Sequence, residues 1–95
     1  MSQPVSSLII VQPARLLARV LRGDVANVDF GDALRLVAAL GFEELRVTGS
    51  HHIYGRPGLA EQLNLQDRRS KAKPYQLRQL ASLVRRYNLS LEANE

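Results

Sequence analysis

The apolar residues change period once, and that change constrains the fold more than any other feature. Ala33, Leu36, Val37 and Leu40 recur at helical spacing, the stripe of a helix that covers something. Leu45 and Val47 then alternate with Arg46 and Thr48, the period of a half-buried strand. Gly41 ends the helix between them, and Phe42 folds back on its last turn. A helix must therefore pack against a sheet that follows it closely in the chain.

The flanking segments extend the pattern. Pro13 suits the first position of an earlier helix, with Leu16, Leu17, Val20 and Leu21 on one face, Arg15, Arg19 and Arg22 opposite, and Gly23 as its stop. Asp29 suits the cap of the second helix, with Asp32 near its positive end. After the first strand, Thr48-Gly49 is a turn signal and Ser50 to Tyr54 reads as the returning strand. Arg56-Pro57-Gly58 breaks that strand. Leu63-Asn64-Leu65-Gln66 is a short third strand, and Asp67 to Lys73 reads as a polar, basic loop. Pro74 opens a last helix with Leu77, Leu80, Val84 and Tyr87 as its stripe and Ala81 beside them, while Gln79, Ser82, Arg85 and Arg86 look outward. The order is helix, helix, three antiparallel strands, helix. A three-stranded sheet has one face to bury, and helices are its simplest cover. The expectation is a two-layer α+β fold with an extra N-terminal helix. It comprises a ragged segment 1–12, one domain over 13–89 with its core in 29–89, and a frayed tail over 90–95.

At 95 residues the chain has room for one modest core. It has no cysteine, which excludes disulfides and thiolate metal sites. No apolar run approaches the roughly 20 residues of a membrane span. Leu8 to Val11 has no basic residue before it, so a signal peptide is not expected. A cytoplasmic location fits these features. The net charge is +4 but unevenly placed. Arg56, Arg68, Arg69, Lys71, Lys73, Arg78, Arg85 and Arg86 face only Glu61 and Asp67 between Arg56 and Tyr87. That half favours a polyanion or an acidic protein, unless it is simply a solvated face.

His51 and His52 are the only histidines. Imidazole titrates near neutrality and can act as general base or acid. RNA provides its own nucleophile, the 2′-hydroxyl, so one base plus cations around the phosphate could break a strand without metal. Neighbours on a regular strand point to opposite faces, so the two histidines cannot share one phosphate unless the strand bulges. With Ile53 taken as inward, His52 shares the outward parity of Tyr54, though His51 lies nearer the turn. Two adjacent histidines without a third ligand make a poor metal site. Ser50 and His51 make a poor nucleophile pair, since no carboxylate orients them. The bland alternative is two partly exposed histidines near a hairpin.

Taken together, Leu40-Gly41-Phe42, Thr48-Gly49-Ser50-His51-His52-Ile53-Tyr54 and Arg56-Pro57-Gly58 resemble the HicA toxins of toxin–antitoxin pairs. The segment from Leu63 to Leu89 is similar to a long-loop branch of that family, so the resemblance covers roughly Asp29 to Leu89. It implies a double-stranded-RNA-binding-like (dsRBD-like) fold and a small endoribonuclease, an mRNA interferase, that cuts mRNA and halts translation. No cofactor is expected. The resemblance also implies a HicB-type antitoxin as partner, in a hetero-oligomer or beside a homodimer. The family's functional histidine usually follows Gly-Ser directly, which selects His51. Members with Asn there and His next would select His52, the alternate. The Val-Pro-x-His segment of many relatives reads Leu63-Asn64-Leu65-Gln66 here, so a second histidine is missing. The helix from Pro13 lies before the usual start.

On that reading Lys71, Lys73, Arg68 and Arg69 hold phosphates. Arg56 adds to them, and Ser50 donates to a phosphate or caps the turn. Arg78, Arg85 and Arg86 extend the track or merely solubilise the last helix. Tyr54 stacks on a base or plugs the sheet. Two rivals use the same charge without chemistry: a non-catalytic RNA-binding module, and an interaction domain for an acidic partner protein.

Overall fold

The first helix, α1 (Pro13–Leu21), starts where proline costs no hydrogen bond and buries Leu16 and Val20. In the computed structural model, which describes residues 12–92, Gly23 follows this helix at φ +87°. Arg19 then ties the next turn together, reaching Asp24 at 3.2 Å and the Ala26 carbonyl at 3.0 Å. The segment 1–11 of the expected N-terminal stretch lies outside the described residues, as does 93–95.

Helix α2 (Phe30–Ala39) begins as its sequence suggests, with the Asp29 carboxylate accepting from the Asp32 N–H at 3.3 Å. It ends on a glycine-dependent motif. The Gly41 N–H donates to Ala38, and that of Phe42 to Val37, both at 3.0 Å, with Gly41 at φ +93°. This is the paired closure that satisfies the last carbonyls of a helix. Phe42 is buried against the helix it terminates.

The sheet has four strands rather than three: β1 (Glu43–Thr48), β2 (His51–Gly55), β3 (Leu63–Arg68) and β4 (Lys71–Ala72), in the order β1-β2-β3-β4 and all antiparallel. The fourth falls in the segment expected to be a loop, because that segment is basic and only two of its residues pair. The chain turns at Arg69 and Ser70, both left-handed at φ +53° and +69°. That is the pattern of a two-residue hairpin that normally takes Asn-Gly, and without glycine it costs about 1 kcal/mol or more per residue. Asp67 accepts from the Ser70 N–H at 2.8 Å. Beyond β4, Val28 accepts from the Ala72 N–H at 2.9 Å and the Phe30 N–H donates to Ser70 at 2.8 Å, so the lead-in to α2 closes that edge.

Helix α3 (Pro74–Tyr87) packs on β3 and stops at left-handed Asn88. Tyr54, Leu63, Leu65 and Ala72 point from the sheet into one core with Leu36, Leu40, Leu77 and Leu80. Ile53, Asn64 and Gln66, of opposite parity, are half-buried and Arg68 is exposed. The architecture is α+β in two layers, with helices on one face of the sheet.

Three expectations change. Strand β1 is exposed along its whole length, with Leu45 and Val47 each about half accessible, because it overhangs the helical layer. Tyr87 is likewise 41% accessible and lies outside the core, while Leu83 and Gln76 are buried in α3 instead. The tail does not fray through residue 92. Leu89 and Leu91 pack against the core, and the Glu92 N–H donates to Ala39 at 2.7 Å.

Candidate nucleic-acid interface

The two histidines sit just after a tight turn. Gly49 has φ +60° while Ser50 does not enter the left-handed region, the arrangement of a two-residue hairpin with glycine first. Thr48 pairs with His51 across it, and Val47 with His52. No bulge falls in β2; the irregularity lies in β1, between Glu44 and Arg46. Strict alternation therefore sends His51 and His52 to opposite faces.

The faces are the reverse of the parity expected with Ile53 inward. Tyr54 is buried, 6% accessible, so it plugs the sheet and is not free to stack on a base. Its hydroxyl donates to Glu44 Oε1 at 3.2 Å. Burial first, then the Glu44 charge and this hydrogen bond, push the phenol up to about 12. His52 shares that face. Its Nδ1 lies 3.1 Å from the same Glu44 oxygen, and its ring meets Phe30 edge-on at 4.9 Å between centroids. One imidazole nitrogen and the ring edge are thus engaged in joining β1, β2 and the start of α2.

His51 stands on the uncovered face. It pairs with Gln66 in β3. Its Nδ1 lies 3.2 Å from Asn64 Oδ1; in the tautomer that donates from Nδ1 to this amide oxygen, Nε2 carries the lone pair. A strand position, half-burial and a side-chain anchor give this imidazole one direction.

The cations sort into two groups. On the face of His51 lie Arg46, which pairs with Ile53, and Arg68, which pairs with Lys71. With Arg69 and Lys73 these make no ion pair with a carboxylate among the described residues. Ser50, in the turn before His51, accepts the Asp67 N–H on its carbonyl at 2.9 Å. The second group is occupied elsewhere. Arg56 Nε donates to the Leu40 carbonyl at 2.8 Å and so finishes α2. Arg85 donates to the Leu21 carbonyl, tying α3 to α1. Arg86 pairs with Glu61, whose carboxyl is held below its ordinary value by the Tyr87 hydroxyl at 2.6 Å and then by Arg86 itself. Arg78 is exposed on α3. Because α3 lies on the covered side of the sheet, Arg78, Arg85 and Arg86 do not join the surface that holds His51.

No family model, curated protein or solved structure matches the chain. The site rests on its own geometry. Two of its members were not singled out from sequence. Arg46 was legible as the outward residue between Leu45 and Val47. Asn64 was not, because only the β2–β3 register brings it beside His51. No helix among the described residues is long and apolar enough to cross a membrane.

Proposed function

We propose that the chain is an endoribonuclease of the HicA toxin type, with His51 as its general base and acid. The observation that carries this reading is the sorting of the histidines. His51 stands on the open, cationic face with Nε2 free, while His52 is committed to Glu44 and Phe30. Nε2 takes the proton from a ribose 2′-hydroxyl, and the resulting oxygen attacks the adjacent phosphorus. The bond to the 5′-oxygen breaks, and that oxygen takes a proton from the imidazolium or from water. The products are a 2′,3′-cyclic phosphate and a 5′-hydroxyl. Arg46, Arg68 and Lys71 offset the charge of the phosphates around the bond. No step uses a metal. The finer fold we infer is dsRBD-like, with mRNA as substrate, arrest of translation as consequence, and a HicB-type antitoxin that covers the open face in the cytoplasm.

The test is cleavage of RNA in the presence of a chelator by the parent, His51→Ala and His52→Ala. Activity lost in His51→Ala, with fold and RNA binding retained, supports the reading. Equal activity in all three, or loss confined to a still-folded His52→Ala, refutes the role of His51. A second reading, an RNA-binding module without chemistry, is favoured by one observation: the face carries a single imidazole and no partner acid for the leaving oxygen. RNA binding without cleavage in the parent would select it.

A further inference from the structure

The β3–β4 hairpin has a feature that its own stability does not explain. A tight turn with two left-handed residues is satisfied best by Asn-Gly, yet the chain places Arg69 and Ser70 there. Backbone strain of this kind persists where something outweighs it. The turn aims one more cation at a groove that already has three. That groove, about 360 Å³, lies between the hairpin and the turn joining α1 to α2. Arg68, Arg69, Lys71 and Lys73 line one side, and Ala26 and Asn27 the other.

The electrostatics of the groove are one-sided. None of its four cations has a carboxylate partner among the described residues, whereas Arg19, Arg22, Arg35 and Arg86 all do. The three acids nearby in sequence face other duties. Asp67 accepts the Ser70 N–H, Asp29 caps α2, and Asp24 pairs with Arg19 and Arg22. The opposite wall is fixed rather than loose, because Arg19 holds the Ala26 carbonyl. Four unpaired cations around a concavity repel each other and favour an anion with several charges.

The groove is separate from His51 but continuous with its face. Arg68 lies two residues along β3 from Gln66, the partner of His51, and Lys71 is its neighbour on β4. Strands about 4.8 Å apart, rising about 3.4 Å per residue, put Lys71 about 12 Å from His51. The groove thus extends from the flank of the imidazole site toward the sheet edge, where the next phosphates of a bound strand would lie.

We infer that this groove is a phosphate-binding subsite for a nucleic-acid strand, distinct from the scissile position, with the α1–α2 turn as one wall. The extra N-terminal helix then has a supporting role in binding: its Arg19 holds the turn that forms the second wall. The inference rests on reading the open face as a nucleic-acid surface, but it does not require cleavage.

The experiment uses a 2′-deoxyoligonucleotide, which lacks the attacking hydroxyl, and follows binding against salt. The variants are Arg69→Gly, Lys71→Gln and Ala26→Glu, with Arg15→Gln as an exposed, unpaired cation outside the groove. Arg69→Gly removes the charge while relieving the backbone, so weaker binding by a more stable protein separates recognition from folding. Ala26→Glu puts a carboxylate on the far wall and removes no cation. Each groove variant is expected to weaken binding about threefold to tenfold at low salt, and each lost phosphate contact to lower the salt slope by about 0.7. Arg15→Gln is expected to bind like the parent. Unchanged binding in Arg69→Gly and Lys71→Gln overturns the subsite. Loss in those two without loss in Ala26→Glu overturns the assigned second wall. Inorganic tripolyphosphate binding as tightly as the oligonucleotide overturns the strand as its source. A parent that binds through the groove but never cleaves RNA sinks the ribonuclease reading and leaves this one standing.

Discussion

Gln76 offers a sharp test of how the helical layer supports the site. It is fully buried in α3, and its Oε1 accepts from the Gln66 N–H at 2.6 Å. The reason lies in the sheet. Asp67 pairs with Ala72, so the next partner for Gln66 would be Lys73, where the chain leaves the sheet for α3. Gln76 completes the ladder with a side chain, at the very residue that pairs with His51. Gln76→Met keeps the length and bulk but removes the acceptor. A backbone N–H left without a partner costs about 1–3 kcal/mol, and the more apolar Met returns part of that. The expected net loss is about 1–2 kcal/mol, which for a domain of this size lowers Tm by roughly 5–15 °C. Urea unfolding should show a lower midpoint at constant slope, and hydrogen exchange should show the Gln66 amide losing protection ahead of its strand neighbours. A variant within about 0.3 kcal/mol of the parent, with Gln66 still protected, would refute the idea that this bond holds the end of the sheet.

Other consequences follow from the same geometry. Tyr54 is ordinary when unfolded and pushed up to about 12 when folded, so its contribution is complete below pH 10 and lost as the pH rises from 10 toward 12. Denaturant midpoints across that range should fall in the parent and fall less in Tyr54→Phe. Arg56→Ala should cost about 1 kcal/mol by freeing the Leu40 carbonyl while leaving oligonucleotide affinity nearly unchanged; a large affinity loss without destabilisation would restore Arg56 to the binding surface. Arg86→Ala should leave binding intact, and loss of the salt slope in that variant would show that α3 does contact the strand. Gly49→Ala should destabilise by about 1 kcal/mol through the turn that positions β2, read as a shift in thermal midpoint.

The helices and their ends were legible because their signals are local. Pro13, Asp29, Gly41 with Phe42, and Pro74 each act on atoms within a few residues. The hairpin at Gly49 was legible for the same reason. What sequence did not give was set by distant pairing. Strand β4 consists of two residues and becomes a strand only because Asp67 and Arg68 lie beside it. Leu45 and Val47 have the alternation of a half-buried strand, but burial needs a cover, and the helices stop short of β1. The arginines were legible as charges and illegible as roles: Arg56, Arg85 and Arg86 have partners 16, 64 and 25 residues away.

The histidine pair shows how far alternation alone can carry a functional argument. Two identical residues, adjacent in sequence, must face opposite sides of a regular strand. Their difference therefore depends on which side is covered, and that is decided by Tyr54. A phenol with a hydroxyl at its tip can enter the core only where an acceptor waits at the rim, and Glu44 on β1 is that acceptor. The bulge between Glu44 and Arg46 shifts the register so that Glu44 lies opposite Tyr54 and Arg46 opposite Ile53. One extra residue in an exposed edge strand thus does two things. It puts a carboxylate where it satisfies Tyr54 and His52, and it turns a guanidinium toward the face that holds His51. Without that residue the alternation would run on through β1, and Glu44 could not serve the covered face while Arg46 served the open one. The bulge, and not the order of the two histidines, is what gives the covered side its carboxylate and the open side its guanidinium.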